Sequence, residues 1–266
     1  MYETTYHRPS SIDEAAALFA KGTESKYLAG GHTLIPVMKQ RLASPSDVID
    51  LGKIKDLVGI EVSADTLTVK AATTYFDILQ STEASKAIPA IVHLTSVLGD
   101  PQVRYRGTIG GSIANNDPAA DFPAAVLALG ATVKTNKRSI GADDFFKGLF
   151  STALADGEII TAVSFPIPAK AAYSKMRHPA SRFALTGVFV VKTKAGDVRV
   201  AATGASQNGV MRVAAIEAAL KANWSAAALD SVTISESGLL TDIHGSSAYR
   251  ANLIKVMAQR AVTEAG

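Results

Sequence analysis

The sequence predicts an α+β fold in two parts, an N-terminal ligand-binding domain over residues 1–168 and a smaller C-terminal domain over residues 169–266. Three observations support this prediction. Helical patterns and short strand patterns alternate through the first part, which divides into subdomains at about residues 1–52 and 53–168. Two prolines and an alanine-rich stretch near residue 168 form a candidate linker. Beyond the linker, two adjacent strand patterns precede three helical segments, as expected for an antiparallel sheet covered by helices.

The first domain begins with a helix that carries its own start and stop signals. The segment Ser11–Glu14 has the spacing of a capping box, and Gly22 is predicted to end the helix. A short strand, Tyr27–Ala29, then leads into a glycine pair. After the pair, Thr33 is a candidate N-cap for a helix over Leu34–Arg41. A proline in the first turn of that helix is tolerated because first-turn amides have no intrahelical partner.

The rest of the first domain is predicted to alternate between strands and helices. Strands are predicted at Val48–Leu51, Val58–Val62, Leu67–Lys70, Ala131–Thr135 and Ile159–Phe165. Helices are predicted at Thr74–Gln80, at about Lys86–Leu98 with a disturbance at Pro89, and at Phe122–Leu129. The stretch from Gly99 to Pro123 shows no regular pattern, and a structureless segment of that length usually lines a site.

The C-terminal domain is predicted to hold two antiparallel strands and three helical stretches. The strands are Phe183–Lys192 and Val198–Gly204. The helical stretches are Met211–Ala222, Ser225 to about Leu229, and Ser246–Glu264.

Two glycine-bearing loops are the most informative motifs: Ala29-Gly30-Gly31-His32-Thr33 and Thr108-Ile109-Gly110-Gly111-Ser112. Glycine lacks a Cβ, so its amide can lie against a phosphate and it adopts a positive φ at little cost. A single glycine pair is most simply a turn. Here the first pair precedes a helix N-terminus, which favours an anion, and the second has a similar Thr/Ser environment. Neither loop has the Rossmann or P-loop pattern. Together they predict two backbone clamps on one long anionic ligand, such as a dinucleotide.

Composition excludes several other classes of protein. The 266-residue chain has no cysteine, so it contains no disulfide, cysteine nucleophile or thiolate-ligated iron–sulfur cluster. Its five histidines are dispersed without a metal-ligand spacing, and no metal site is expected. The formal charge is +3 with scattered basic residues, which argues against nucleic-acid binding. No apolar run approaches the roughly 18 residues of a transmembrane segment, and the N-terminus lacks a signal-peptide pattern. The sequence therefore predicts a cytoplasmic protein.

Five segments carry a resemblance to a known family. They are Leu28–Lys39 around the first loop, Asp100–Tyr105 and Gly107–Ser112 around the second, Asp117–Ala124 after it, and Tyr173–Lys175 near the start of the C-terminal domain. In this order and at this separation they resemble the FAD-binding medium subunits of molybdenum hydroxylases of the carbon monoxide dehydrogenase type. These subunits are related to the FAD domain of xanthine dehydrogenase. The similarity extends along the whole chain.

The resemblance implies a two-part FAD-binding domain of the PCMH type, followed by the C-terminal domain of these flavoprotein subunits. It implies that the glycine loops clamp the FAD pyrophosphate through backbone amides, with the hydroxyls of Thr33 and Thr108 as further donors. The cofactor-binding residues that it implies are Ala29, Gly30, Gly31, His32, Thr33, Leu34, Thr108, Ile109, Gly110, Gly111, Ser112, Asn115, Asp121, Ile160 and Lys175. No residue of this chain is expected to act as an acid, base or nucleophile.

Four of these residues have a simpler interpretation that the sequence leaves open. Asp121 matches a position that contacts FAD hydroxyls, but it also stands where an N-cap for the next helix is expected. Asn115 is either a donor to the flavin site or an ordinary polar loop residue. Ile160 and Lys175 match positions that face the flavin, although by themselves they indicate a core strand residue and a solvated charge.

Two positions near the expected flavin have features of their own. In a broader flavoprotein superfamily, a histidine in the position of His32 bonds covalently to the flavin. The Leu-Ile-Pro-x-Met-Lys that follows favours the group that holds FAD non-covalently. Phe183 stands where relatives carry an aromatic residue near the isoalloxazine, usually after an acidic residue. Here Arg182 precedes it, which alters the expected flavin environment.

The function that the resemblance implies is electron transfer within a molybdenum hydroxylase. A large partner subunit would hold the molybdenum cofactor, a small one the 2Fe–2S clusters, and the complex would be a dimer of heterotrimers. FAD on this chain would pass electrons to an external acceptor, whether quinone, NAD or oxygen. The alternatives are a stand-alone flavin oxidase or dehydrogenase of the PCMH superfamily and a nucleotide-binding scaffold without a redox role.

Overall fold

Three main β-sheets follow one another along the chain in the computed structural model, which describes residues 1–266. The first is a small parallel sheet in the order β1-β3-β2. Its strands and their helices are β1 (Thr5–His7), α1 (Ile12–Lys21), β2 (Ser25–Leu28), α2 (Leu34–Lys39) and β3 (Asp47–Asp50). Ser11 caps α1 as predicted, whereas Glu14 reaches back to Ser10 and not to Ser11. Two 3₁₀ turns, Leu51–Lys53 and Lys55–Leu57, lead out of this sheet.

The second sheet has five antiparallel strands in the order β4-β5-β10-β6-β7. Its strands are β4 (Ile60–Val62), β5 (Thr66–Lys70), β6 (Thr132–Thr135), β7 (Ser139–Gly141) and β10 (Ile160–Pro166), and the hairpin β8 (Phe146–Gly148) and β9 (Ser151–Thr152) stands apart. The helices of this region are α3 (Tyr75–Gln80), α4 (Thr82–Ala87), α5 (Pro89–Ser96), α6 (Pro101–Arg106), α7 (Ile109–Asn115), α8 (Phe122–Leu129) and α9 (Ala142–Phe145).

The third sheet is antiparallel in the order β11-β12-β13-β14. Its strands are β11 (Lys170–Arg177), β12 (Ala184–Lys192), β13 (Val198–Thr203) and β14 (Met211–Arg212). Helix α10 (Ala214–Ala222), the 3₁₀ turn Ala226–Leu229 and helix α11 (Ser247–Ala265) follow it. The predicted α+β class is confirmed. The strand β11 was missed, because the expected linker after Pro168 already enters the sheet at Lys170.

The prediction of an irregular segment from Gly99 to Pro123 is wrong. Asp100 caps α6 by accepting from the amide of Val103, and Thr108 caps α7 by accepting from the amide of Gly111. The second glycine loop is therefore the first turn of a helix. A glycine pair inside a helix gives no helical signal in the sequence, since glycine is a poor helix former.

Helix α8 connects the second sheet to the third. All eight of its residues are buried, and it contacts β10 as well as β12 and β13. A core of 31 buried residues accordingly includes Tyr173 and Phe189 of the third sheet. A separate core lies between that sheet and α10 and α11. None of the helices is both long and apolar enough to cross a bilayer.

Candidate functional site

A cavity of about 1160 Å³ lies where the three sheets meet. Both glycine loops line it, together with residues 98–101 at the start of α6 and residues 180–183 between β11 and β12. Its volume lies above the roughly 300–1,000 Å³ that is common for small-molecule pockets, which suits a long ligand.

The first glycine loop presents a row of free backbone donors to this cavity. The N–H groups of residues 30–34 have no hydrogen-bond acceptor within the chain, and all five residues line the cavity. Gly31 has a φ of +78°, and a Cβ on Gly30 would lie 2.2 Å from the carbonyl oxygen of Arg106. Thr33 stands at the N-cap position of α2 but makes no capping bond with its side chain. Consecutive free amides before a helix form a concave anion site.

The second glycine loop offers different chemistry. The amides of Ile109, Gly110, Gly111 and Ser112 already donate to Thr73, Ala71 and Thr108 within the chain. Gly110 is needed for close packing, because a Cβ there would lie 2.6 Å from that of Ala71. Gly111 lines the cavity, although a Cβ there would lie 3.0 Å from Thr108 Oγ1, and the half-buried side chains of Ser112 and Asn115 line it nearby. This loop therefore contributes side-chain groups and a surface of small residues, whereas the first loop contributes free amides.

Asp121 is held by two donors from the C-terminal sheet. The phenol of Tyr173 donates to its Oδ1 at 2.6 Å, and the ammonium of Lys175 donates to the same oxygen at 2.8 Å. Burial raises the pKa of Asp121, and the charge of Lys175 opposes that rise. Burial also raises the pKa of the Tyr173 phenol well above its ordinary range, so Tyr173 is a donor. Asp121 makes no capping bond to α8, and its Oδ2 has no partner within the chain. The carboxylate is thus fixed through one oxygen and retains the other as a free acceptor at the cavity.

A hydroxyl on β13 fixes the segment before Asp121. Thr203 Oγ1 donates to the carbonyl oxygens of Pro118 at 3.0 Å and Ala120 at 2.7 Å, and the amide of Gly204 also donates to Pro118. The C-terminal sheet therefore positions this part of the cavity wall through both backbone and side-chain contacts.

Apolar side chains line another part of the cavity. Ile160 is buried at the start of β10, whereas Phe183 is 52% exposed at the start of β12. The neighbouring Arg182 has a φ of +62° and also lines the cavity. His32 lines it with an exposed side chain. This set leaves one planar apolar group, Phe183, free to cover a flat ligand.

The structure brings thirteen of the fifteen residues expected from the sequence to the cavity. Ile109 and Lys175 do not line it. Ile109 is fully buried in the core, and Lys175 reaches the cavity through its bond to Asp121.

Sequence reasoning also missed residues that line the cavity. Tyr75, buried beneath the second loop, is one of them, and burial raises its pKa to about 12. Glu158 is another; hydrogen bonds from Arg138 lower its pKa to about 2, and it also accepts from the amide of Ala155. Neither residue belongs to a motif, so only the fold brings it to the site.

The residues present fit FAD. The unpaired amides of residues 30–34 suit a diphosphate, the free Oδ2 of Asp121 suits a hydroxyl, and Phe183 with Ile160 suits an apolar ring system. No cluster of three or more acidic or histidine side chains is arranged to hold a metal ion.

Comparison with known proteins shows the family to which the chain belongs. A family model described as the FAD binding domain in molybdopterin dehydrogenase matches residues 2–168. The carbon monoxide dehydrogenase medium chain of Afipia carboxidovorans is 37% identical, over 98% of this chain and 96% of that protein. The nicotine 6-hydroxylase medium subunit of Paenarthrobacter nicotinovorans is 35% identical, over the same shares of 98% and 96%.

Solved structures match the whole fold. A chain of the reconstituted CO dehydrogenase from Oligotropha carboxidovorans superposes with a TM-score of 0.91 at 34% identity, covering 99% of this chain and 97% of that one. A chain of quinoline 2-oxidoreductase from Pseudomonas putida 86 superposes with a TM-score of 0.87 at 28% identity, covering 99% and 96%.

Proposed function

The chain belongs to the FAD-binding medium subunits of the molybdenum hydroxylases, and from this we propose that it is the electron-transfer subunit of such an oxidoreductase complex. The observation that carries the proposal is the row of five unpaired amides at residues 30–34, which open into a cavity large enough for a dinucleotide. When bound there, FAD supplies the redox chemistry, taking electrons singly from an iron–sulfur centre and releasing them in pairs to an external acceptor.

Each wall of the cavity has a part in this proposal. The amides of residues 30–34 bind the pyrophosphate, and the second loop supports the cofactor through Gly111, Ser112 and Asn115. Asp121 accepts a hydrogen bond from a hydroxyl of the cofactor through its free oxygen, while Lys175 and Tyr173 hold the carboxylate in place. Ile160 and Phe183 exclude water from the isoalloxazine.

We also propose the domain assignment and the partners. Residues 1–168 form the FAD-binding domain, with subdomains at about 1–52 and 53–168, and residues 169–266 form the C-terminal domain. This is supported by β10, which ends at Pro166, and β11, which begins at Lys170. A large subunit holds the molybdenum cofactor and a small one the 2Fe–2S clusters, since this chain has no cysteine to ligate them. The complex is a dimer of heterotrimers in the cytoplasm.

Purification from the native source tests the proposal directly. We expect this chain to co-purify with two partner subunits as a yellow-brown complex that contains molybdenum, iron and about one FAD per copy of the chain. Addition of the complex's reducing substrate should bleach the visible absorbance of the flavin. A colourless, solitary chain that does not bind added FAD would overturn the proposal.

A further inference from the structure

The loop between β11 and β12, residues 178–183, forms part of the cavity rim and contains a residue in an unfavourable backbone conformation. Its last four residues line the cavity. Two backbone hydrogen bonds close it, from His178 N to Phe183 O and from Arg182 N to His178 O, each 2.8 Å long. Arg182 nevertheless has a φ of +62°, in the left-handed region that residues with a Cβ disfavour. Contacts other than the chain's local preference must therefore hold this loop.

The imidazole of His178 supplies two of those contacts, and Ser181 Oγ supplies a third by accepting from the amide of Phe183 at 3.3 Å. The Nδ1 of His178 accepts from the backbone N–H groups of Ala180 at 3.3 Å and Ser181 at 3.2 Å. Its Nε2 lies 3.1 Å from Nδ1 of His244, in the turn before α11. An imidazole nitrogen that accepts a hydrogen bond carries no proton. The proton of His178 is therefore on Nε2 and is donated to His244.

One further proton has no place in this arrangement. On Nδ1 of His178 it would point at two N–H groups. A proton on Nδ1 of His244 would point at the Nε2–H of His178. His178 could avoid this clash only by carrying its own proton on Nδ1, and it would then lose the hydrogen bonds from Ala180 and Ser181. Only the neutral pair satisfies all three hydrogen bonds. Imidazole is also the side chain whose charge ordinarily changes between pH 5 and 8.

Charged groups of both signs surround the pair, and the nearby carboxylate, Asp242, accepts from the backbone N–H of His244 but is already paired with Arg250. Arg177 and Arg182 lie on the same segment of chain and are cationic. The facing turn carries Asp242, whose carboxylate accepts two hydrogen bonds from the buried guanidinium of Arg250. On the same side, the uncharged phenol ring of Tyr249 packs against Gly245 of the turn.

We propose that His178, as a neutral imidazole, is the positioning residue that holds the rim loop 178–183 in place. Losing the ring, or adding a proton to the His178–His244 pair, frees Arg182 and Phe183 from the cavity rim. The hold on the loop follows from the geometry of this chain alone. Its consequence for a bound flavin rests on the proposed function.

Hydrogen exchange measured by mass spectrometry on the full chain tests the hold on the loop. The peptide spanning residues 178–186 is followed at pH 7.5 and pH 5.5, with rates corrected for intrinsic chemical exchange. His178→Ala removes the acceptor and should lower protection of the loop amides about ten-fold at pH 7.5, as expected for the loss of two hydrogen bonds. His178→Asn is the matched control, because an Asn side chain accepts from nearby amides in the same way but does not titrate.

The pH response separates positioning from a merely structural role. Wild-type protection should fall at pH 5.5 to the level of His178→Ala, whereas His178→Asn should keep its protection at both pH values. Equal protection in wild type and His178→Ala at pH 7.5, or equal pH responses in wild type and His178→Asn, would overturn the proposal.

A second measurement connects the loop to the flavin. Flavin fluorescence of the purified complex should rise about two-fold or more in His178→Ala, and in wild type at pH 5.5, as Phe183 leaves the rim. If wild type binds no FAD, the proposed function fails, and the exchange measurement still decides the role of His178. A further outcome is that FAD binds and hydrogen exchange of the loop changes as expected, while flavin fluorescence stays constant. That result would overturn the claim that the freed loop uncovers the flavin.

Discussion

The ammonium of Lys175 lies 2.8 Å from Oδ1 of Asp121, and it is the one ion pair of the chain in which both side chains are buried, at 2% and 3% exposure. Asp121 precedes α8 at the cavity, whereas Lys175 belongs to the first strand of the C-terminal sheet. The contact that fixes a cavity carboxylate is therefore also a contact between the two halves of the chain. The site and the packing of the halves depend on each other.

Removing one partner of this pair should be costly. Lys175→Met leaves a buried carboxylate without its counter-charge, and we expect a loss of about 3–5 kcal/mol in the free energy of unfolding. Urea denaturation followed by far-ultraviolet circular dichroism measures it. Adding Asp121→Leu to Lys175→Met should recover much of the loss, because the buried charge is then absent.

The exposed pair between Lys194 and Asp65 is the matched control. Its nitrogen–oxygen distance is also 2.8 Å, but the two side chains are 52% and 81% exposed. Lys194→Met should cost less than about 1 kcal/mol. Equal losses for the two lysine variants would show that burial does not govern the energy of the Asp121–Lys175 pair.

Glu158 should make the fold sensitive to acid. Arg138 lowers its pKa to about 2 from an ordinary value of 4.5. A carboxylate whose pKa is lower in the folded state stabilises the fold above its unfolded-state pKa, and that stability is lost as the pH falls through the folded-state pKa. The stability difference between wild type and Glu158→Gln should therefore be constant near neutral pH and shrink as the pH falls from 4.5 to about 2.

Urea unfolding of both proteins at a series of pH values measures this difference, and the other carboxylates cancel in the comparison. Arg138→Met should move the loss to higher pH, since hydrogen bonds from Arg138 are the largest cause of the lowered pKa. A difference that does not change with pH would mean that Glu158 has the same proton affinity in the folded and unfolded chain.

The elements that the sequence predicted correctly are those with a local signal of their own. The Ser11 cap, the fully apolar helix over residues 122–129 and the strand pair of the C-terminal sheet were all found, because each has its own periodicity or capping residue. Helix α7 was missed, because Gly110 and Gly111 are poor helix formers, and Gly110 is required there by its close contact with Ala71.

The site shows the same division. The glycine loops were recognised as motifs in the sequence, but only the tertiary structure shows that they lie close to each other. Tyr75 and Glu158 line the cavity through contacts with residues distant in sequence, and no pattern near them indicates it. The N-cap interpretation of Asp121 was a sound local alternative. The carboxylate makes no capping bond in the structure, because it accepts hydrogen bonds from Tyr173 and Lys175, which are more than fifty residues away in the sequence.

The two loops should respond differently to an added methyl group. At Gly30 a Cβ would lie 2.2 Å from the carbonyl oxygen of Arg106, so Gly30→Ala must separate the first loop from α6. At Gly111 the nearest atom is Thr108 Oγ1 at 3.0 Å, and the residue faces the cavity. Gly30→Ala should therefore lower both thermal stability and FAD content. Gly111→Ala should lower FAD content alone, since alanine favours the helix by about 1 kcal/mol relative to glycine.

Differential scanning fluorimetry and the FAD-to-protein ratio of the purified complex measure the two effects separately. The prediction fails if Gly111→Ala unfolds as early as Gly30→Ala, or if it retains a full complement of FAD.

The flavin should be held without a covalent bond. His32 lines the cavity with an exposed side chain, within the row of unpaired backbone amides at residues 30–34. Precipitation of the complex with acid should therefore release all of the FAD into the supernatant, where its absorbance is measured. His32→Ala should keep most of its FAD, because the unpaired amides of residues 30–34 belong to the backbone and survive the substitution. Flavin that stays with the wild-type pellet but is released from His32→Ala would instead identify His32 as the point of covalent attachment.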